Sequence, residues 1–334
     1  MAGPHDRLRA MKRFCWIALV MLMALCLVAC GGKGAEAPAA SNPMNDALAL
    51  LPGNAIGLGT VDARTVFANP TFGSDLAALV ERLVPIGPEA GFQASRDVDR
   101  VTFGSYSYQG VDVAAIVIGR FDETKIKQAV SNHASTSSGS GAGLGTGSMA
   151  GSMIVVSQYA GRDIYTVNNV GFTLLSNTMA LAGTESGMRR VLERIQDGRV
   201  RRDVAPWMIE TVETQGAAFA AVGDFTTTPM PADVTRQIPL AFMQNLKAAR
   251  VVGSFKNQGV ELAGSMSYPD AQAAQAASKS VQQVLGSRLL FAIAGIKMRS
   301  VDVKVEASDV QVVLDVGDSS LRQLLVLAPQ WFGR

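Results

Sequence analysis

One pattern occurs twice in this chain and narrows what it can fold into. The stretch from Arg100 reads RVTFGSYSYQGVDVAAIVIGRFDETKIKQAV, and the stretch from Arg250 reads RVVGSFKNQGVELAGSMSYPDAQAAQAA. Each opens with Arg-Val in a β-rich run and meets a Gln-Gly turn signal. Each resumes with Val, an acid and an apolar residue: Val111-Asp112-Val113 in one, Val260-Glu261-Leu262 in the other. Each ends at an aspartate placed to cap a helix, Asp122 or Asp270. Two β-runs around a tight turn predict an antiparallel hairpin. A hairpin with one apolar face needs helices to cover it. The fold expected is therefore α+β: two similar lobes of mainly antiparallel sheet covered by helices, as gene duplication would produce.

The flanking segments extend this reading. In the first lobe, Ala55–Val61 reads as a strand, and Asp75–Val84 carries apolar residues at helical spacing. Short strands follow near residues 153–157, 163–167, 172–176 and 179–182, then a helix from Glu185 to Ile195. Residues 134–152 (ASTSSGSGAGLGTGSMAGS) carry too little apolar area to offset their ordering entropy and read as a disordered loop. Asp197-Gly198 and the following RVRRD mark a boundary, giving lobes at 45–198 and 199–334. The second lobe repeats the order: helix 204–214, strand 217–224, a mostly helical 232–246, the hairpin 250–268 and an Ala-rich helix from Asp270. A last hairpin then pairs 300–306 with 310–316, and 321–327 closes the chain as a helix.

The N-terminus is of a different kind. Arg7, Arg9, Lys12 and Arg13 precede an uncharged run, FCWIALVMLMALCLVAC, from Phe14 to Cys30. A basic segment before a short apolar one is the layout of a secretory signal. Seventeen apolar residues only reach the lower edge of the ~17–25 that span a bilayer. The run ends Leu27-Val28-Ala29-Cys30-Gly31, which resembles the lipobox of bacterial lipoprotein precursors. That resemblance implies cleavage of residues 1–29, a diacylglyceryl group on the Cys30 thiol and an acylated new amine. Two or more chains, at ~0.8 kcal/mol per buried CH2, anchor stably where one does not. Gly31, where an aspartate would signal inner-membrane retention, makes the outer membrane the expected location. Residues 30–44, rich in Gly, Ala and Pro, read as a lipidated flexible tether.

The body offers little chemistry. All three cysteines (Cys15, Cys26 and Cys30) lie in the N-terminal segment, so the body holds no disulfide, thiolate metal site or cysteine nucleophile. Without residues 1–29 the chain keeps 26 basic and 27 acidic residues, a balance unsuited to capturing nucleic acid. Its single histidine, His133, sits at a predicted helix end, where a charged imidazole complements the helix dipole. The Gly-rich loop lacks the lysine of a phosphate-binding loop. Asp97, Asp99, Asp122 and Glu123 are near one another in sequence but read as turn and cap residues. Arg189, Arg190, Arg194, Arg199, Arg201 and Arg202 form the one basic cluster, suited either to a solvated helix end or to anionic headgroups.

The Leu51-Pro52-Gly53-Asn54-Ala55 opening and the Gly119-Arg120-Phe121-Asp122 step resemble uncharacterised exported bacterial proteins with such a duplicated lobe. That resemblance implies a fold and no activity. The expectation is a membrane-anchored envelope lipoprotein that is not an enzyme, has no cofactor or metal, and binds or scaffolds an envelope protein partner. The alternative is a carrier of lipid or another hydrophobic ligand, its Met residues lining a deformable cavity.

Overall fold

The computed structural model describes residues 43–84, 87, 89–108, 112–137, 154–167, 169–231, 241–256, 259–286 and 298–320. The expected signal segment, Cys30 and most of the expected tether lie outside them, as do most of the Gly/Ser loop and the expected closing helix 321–327. The chain is α+β and divides into two compact units, with the break between Ala205 and Pro206.

In the first unit the strands are β1 (Gly57–Asp62), β2 (Val98–Ser105), β3 (Val113–Gly119), β4 (Val155–Tyr159), β5 (Arg162–Val167), β6 (Val170–Ser176) and β7 (Met179–Thr184). Their order is β1-β2-β3-β7-β6-β5-β4, and each described pairing is antiparallel. The helices are α1 (Ala47–Leu50), α2 (Ala63–Phe67), α3 (Gly73–Leu83), α4 (Ala94–Asp97), α5 (Glu123–Ser137) and α6 (Glu185–Gln196). Met188, Val191 and Leu192 recur at helical spacing on α6 and are buried. This stripe lets α6 pack on β3 and β7, whose Ile116 and Leu181 are fully buried.

In the second unit, α7 (Pro206–Val212) precedes β8 (Phe219–Asp224), β9 (Ala248–Lys256), β10 (Gly259–Ser267), α8 (Ala271–Gly286), β11 (Met298–Glu306) and β12 (Asp309–Gly317). The strand order is β8-β9-β10-β12-β11. Strand β12 alternates strictly, with Val310, Val312, Leu314 and Val316 buried. Opposite them on β10 lie Met266, Gly264, Leu262 and Val260. The buried positions of α8, Ala274, Ala277, Ser278, Val281 and Leu285, form one stripe, and this helix packs on β11 and β12.

The duplication inferred from sequence has a counterpart in topology. Strands β1, β2 and β3 correspond to β8, β9 and β10, each trio an antiparallel meander. A long helix follows each trio, α5 capped by Asp122 and α8 by Asp270. The last hairpin of each unit places its second strand beside the third of the trio: β7 on β3, β12 on β10. The β4–β5 hairpin is what the first unit adds. Both units also set a glycine against a facing ring, Gly59 opposite Phe103 and Gly253 opposite Phe219. A Cβ on Gly59 would lie 2.3 Å from the Phe103 ring, and one on Gly253 2.2 Å from the Phe219 ring.

Several boundaries differ from expectation. The break between units falls at 205/206 rather than 198/199. Residues 199–205 are tied back to the first unit: Arg194 reaches the Arg201 carbonyl and the Asp203 carboxylate, and Arg202 pairs with Asp46. The Ser/Thr-containing stretch to Ser137 extends α5 beyond His133. Of the helical segment expected at 232–246, the described part is a short 3-10 turn, Ala241–Met243. Asp309 belongs to β12, so the last hairpin turns through Ala307 and Ser308 alone, with Ala307 left-handed at φ 52°.

Candidate functional site

Cys30, the lipid-attachment position that the lipobox resemblance implies, is outside the described residues, so a site can be built only from the body. His133 lies within α5. The four carboxylates near one another in sequence do not converge. Asp97 accepts two bonds from Arg96 and one from the Gln93 N–H. Burial would push its carboxyl up, but these bonds and the charges of Arg96 and Arg120 hold it below the ordinary range. Asp99 lies between Arg64 and Arg120 at 2.6 and 3.3 Å, and the Arg64 bond above all lowers its pKa. Asp122 caps α5, and Glu123 pairs with Lys127 along it. Each has its own structural partner.

The arginine cluster resolves in the same way. Arg189 pairs with Glu185 and lies 4.6 Å over the Tyr159 ring. Arg190 meets Asp112, Arg199 meets Asp197, and Arg202 meets Asp46. Arg194 is 5% exposed and donates to the carbonyls of Ala49 and Arg201 and to Asp203, which Arg201 also holds. The Arg194 bond first, then that of Arg201, depresses the Asp203 carboxyl. An arginine already on a carboxylate has little attraction left for a headgroup phosphate. Of the two readings the sequence allows, these contacts favour the structural one.

One grouping was not evident from sequence. Where β7 runs into α6, Thr184 caps the helix through the Gly187 N–H and meets both the N–H and the carbonyl of Val113. Ser186 donates to Asp112 at 3.0 Å, and Arg190 holds the other oxygen of Asp112 at 3.0 Å. The Arg190 guanidinium lies 5.9 Å over the buried Tyr106 ring. The Tyr106 hydroxyl has no hydrogen-bond partner among the described residues, and burial, then Asp112, raises its pKa. A serine, an acid and a base thus meet, but the base is a guanidinium, which stays protonated and cannot take the serine's proton. The raised phenol cannot either. The group ties the entry of α6 to the start of β3. Only the pairing of β3 with β7 brings residues 112 and 186 together, and no local signal announces that. Among the described residues no group of three or more His, Cys, Asp and Glu is placed to hold a metal ion.

No family model and no curated protein matches the sequence. Solved structures do match in fold. Crystal form I of TP0453 aligns at TM-score 0.50 with 11% identity, covering 86% of this chain and 97% of that one. Crystal form III aligns at TM-score 0.49 with 11% identity, covering 85% and 98%. At this identity the likeness to crystal form I concerns the fold alone, and it agrees with the α+β architecture described above.

Proposed function

We propose that the chain is an exported lipoprotein, held to a bacterial membrane through lipid on Cys30, whose α+β body is a non-enzymatic binding or scaffolding module of the envelope. The outer membrane is the location this reading assigns, from Gly31 after the cysteine. The observation that carries the anchor is the basic segment, apolar run and Leu27-Val28-Ala29-Cys30-Gly31 end in that order. For the body, the support is that the arginines and clustered carboxylates singled out in the sequence are each engaged by a partner within the body.

The test of the binding role is crosslinking in intact membranes, with the full chain as bait and its anchor retained. The proposal expects one envelope protein recovered in stoichiometric amount. Co-purifying lipid without a protein partner would overturn it in favour of a carrier of hydrophobic ligand.

A further inference from the structure

Strand β11 ends the order of the second unit, and among the described residues it pairs only with β12. Val301, Val303 and Val305 stand opposite Leu314, Val312 and Val310, so they lie on the sheet face that α8 covers. The partners on β12 are 3%, 2% and 0% exposed, whereas Val301 and Val305 are 41% and 39% exposed. The core face therefore runs on to an edge that no further strand covers among the described residues. Between the valines, on the other face, stand Asp302 and Lys304, with side chains 51% and 69% exposed. Asp302 and Lys304 bond each other at 2.5 Å.

We propose that β11 pairs with β11 of a second copy, antiparallel, about a twofold axis passing through Val303. In that register Val301 faces Val305 of the other copy, Val303 faces its own equivalent, and Val305 faces Val301. On the opposite face each Asp302 meets a Lys304, twice by symmetry. Residues paired across an antiparallel ladder must point their backbone groups the same way, so the strand can slip only by steps of two about such an axis. One step one way sets Asp302 against Asp302. One step the other way sets Lys304 against Lys304 and Asp302 against Glu306. Charges on an edge strand usually discourage pairing. Here their order favours the register centred on Val303, which also continues the valine face across the joint. An axis at Val305 would pair Lys304 with Glu306 but would set Val303 against Ala307 and Val301 past the end of the facing strand. This pairing does not depend on the anchor at Cys30.

The test uses the full chain in detergent micelles, its mass followed by sedimentation over a concentration series. The wild type should show a monomer–dimer equilibrium. Lys304→Asp places four acids around the axis and should weaken the dimer about tenfold or more. Adding Asp302→Lys to that variant reverses the order of the charges and should restore the dimer. Directly opposed residues lie ~4.5–5.5 Å apart at Cα, within disulfide reach. Val303→Cys should thus oxidise to a peptide linked to itself at position 303, read by mass spectrometry. Val301→Cys, displaced four residues from its own equivalent, should not. A monomeric wild type, an unaffected Lys304→Asp, a double reversal that fails to rescue, or no link at position 303 would each overturn the proposal.

Discussion

Two buried tyrosines show how far single side chains can be weighed. Tyr268 donates to the Phe242 carbonyl at 2.6 Å, while the Tyr106 hydroxyl is buried without a partner among the described residues. Removing the first hydroxyl leaves a buried carbonyl unsatisfied, whereas removing the second relieves a desolvated group. Tyr268→Phe should therefore cost about 1–2 kcal/mol, and Tyr106→Phe should be neutral or stabilising, as read from urea midpoints. Arg194→Ala strands the carbonyls of Ala49 and Arg201 and leaves Asp203 to Arg201 alone, and should cost about 2–4 kcal/mol. The depressed Asp99 and Asp203 give a pH dependence of definite sign. Their folded pKa lies below the unfolded value, so their contribution is present above about pH 4 and fades as pH falls through the folded value. Asp203→Asn should flatten that acid limb; an unchanged limb would remove Asp203 from the account. At this scale the sequence was a partial guide. The Asp122 cap was readable from its place before a helical run, but the burial of Arg194 was not. Its neighbours in sequence resemble any charged helix end, and only the return of residues 199–205 encloses it.

At the scale of elements, most strands and helices were visible because their apolar spacing is clean. The alternation of Val310, Val312, Leu314 and Val316 and the stripe on α6 are examples. Ends were less visible. Ser and Thr at 135–137 looked like the start of a loop, yet they continue α5, because the chain had already paid the cost of nucleating that helix. The Ala307-Ser308 turn hides a left-handed residue behind an ordinary alanine. Ala307→Gly should relax it and raise stability by about 0.5–1 kcal/mol, measured on the thermal midpoint. Thr184→Ala removes both the cap of α6 and its tie to β3, and should cost about 1–2 kcal/mol.

For the molecule as a whole, the repeated hairpin-and-helix pattern carried the fold class correctly, since two such lobes admit few other solutions. It could not give the strand order, in which the last hairpin of each unit returns to the third strand, nor the place of β11 at the end of the order among the described residues. Those are long-range pairings, set by which apolar faces fit together rather than by local spacing. The polar groups of the body stabilise it, and the assignment of the chain to a membrane rests on the segment ending at Cys30. Palmitate labelling of cells expressing the wild type and Cys30→Ala, followed by membrane fractionation, tests that assignment directly. The account predicts label and membrane retention in the wild type, and loss of both in Cys30→Ala. A Cys30→Ala chain still labelled and still processed at the same position would contradict it.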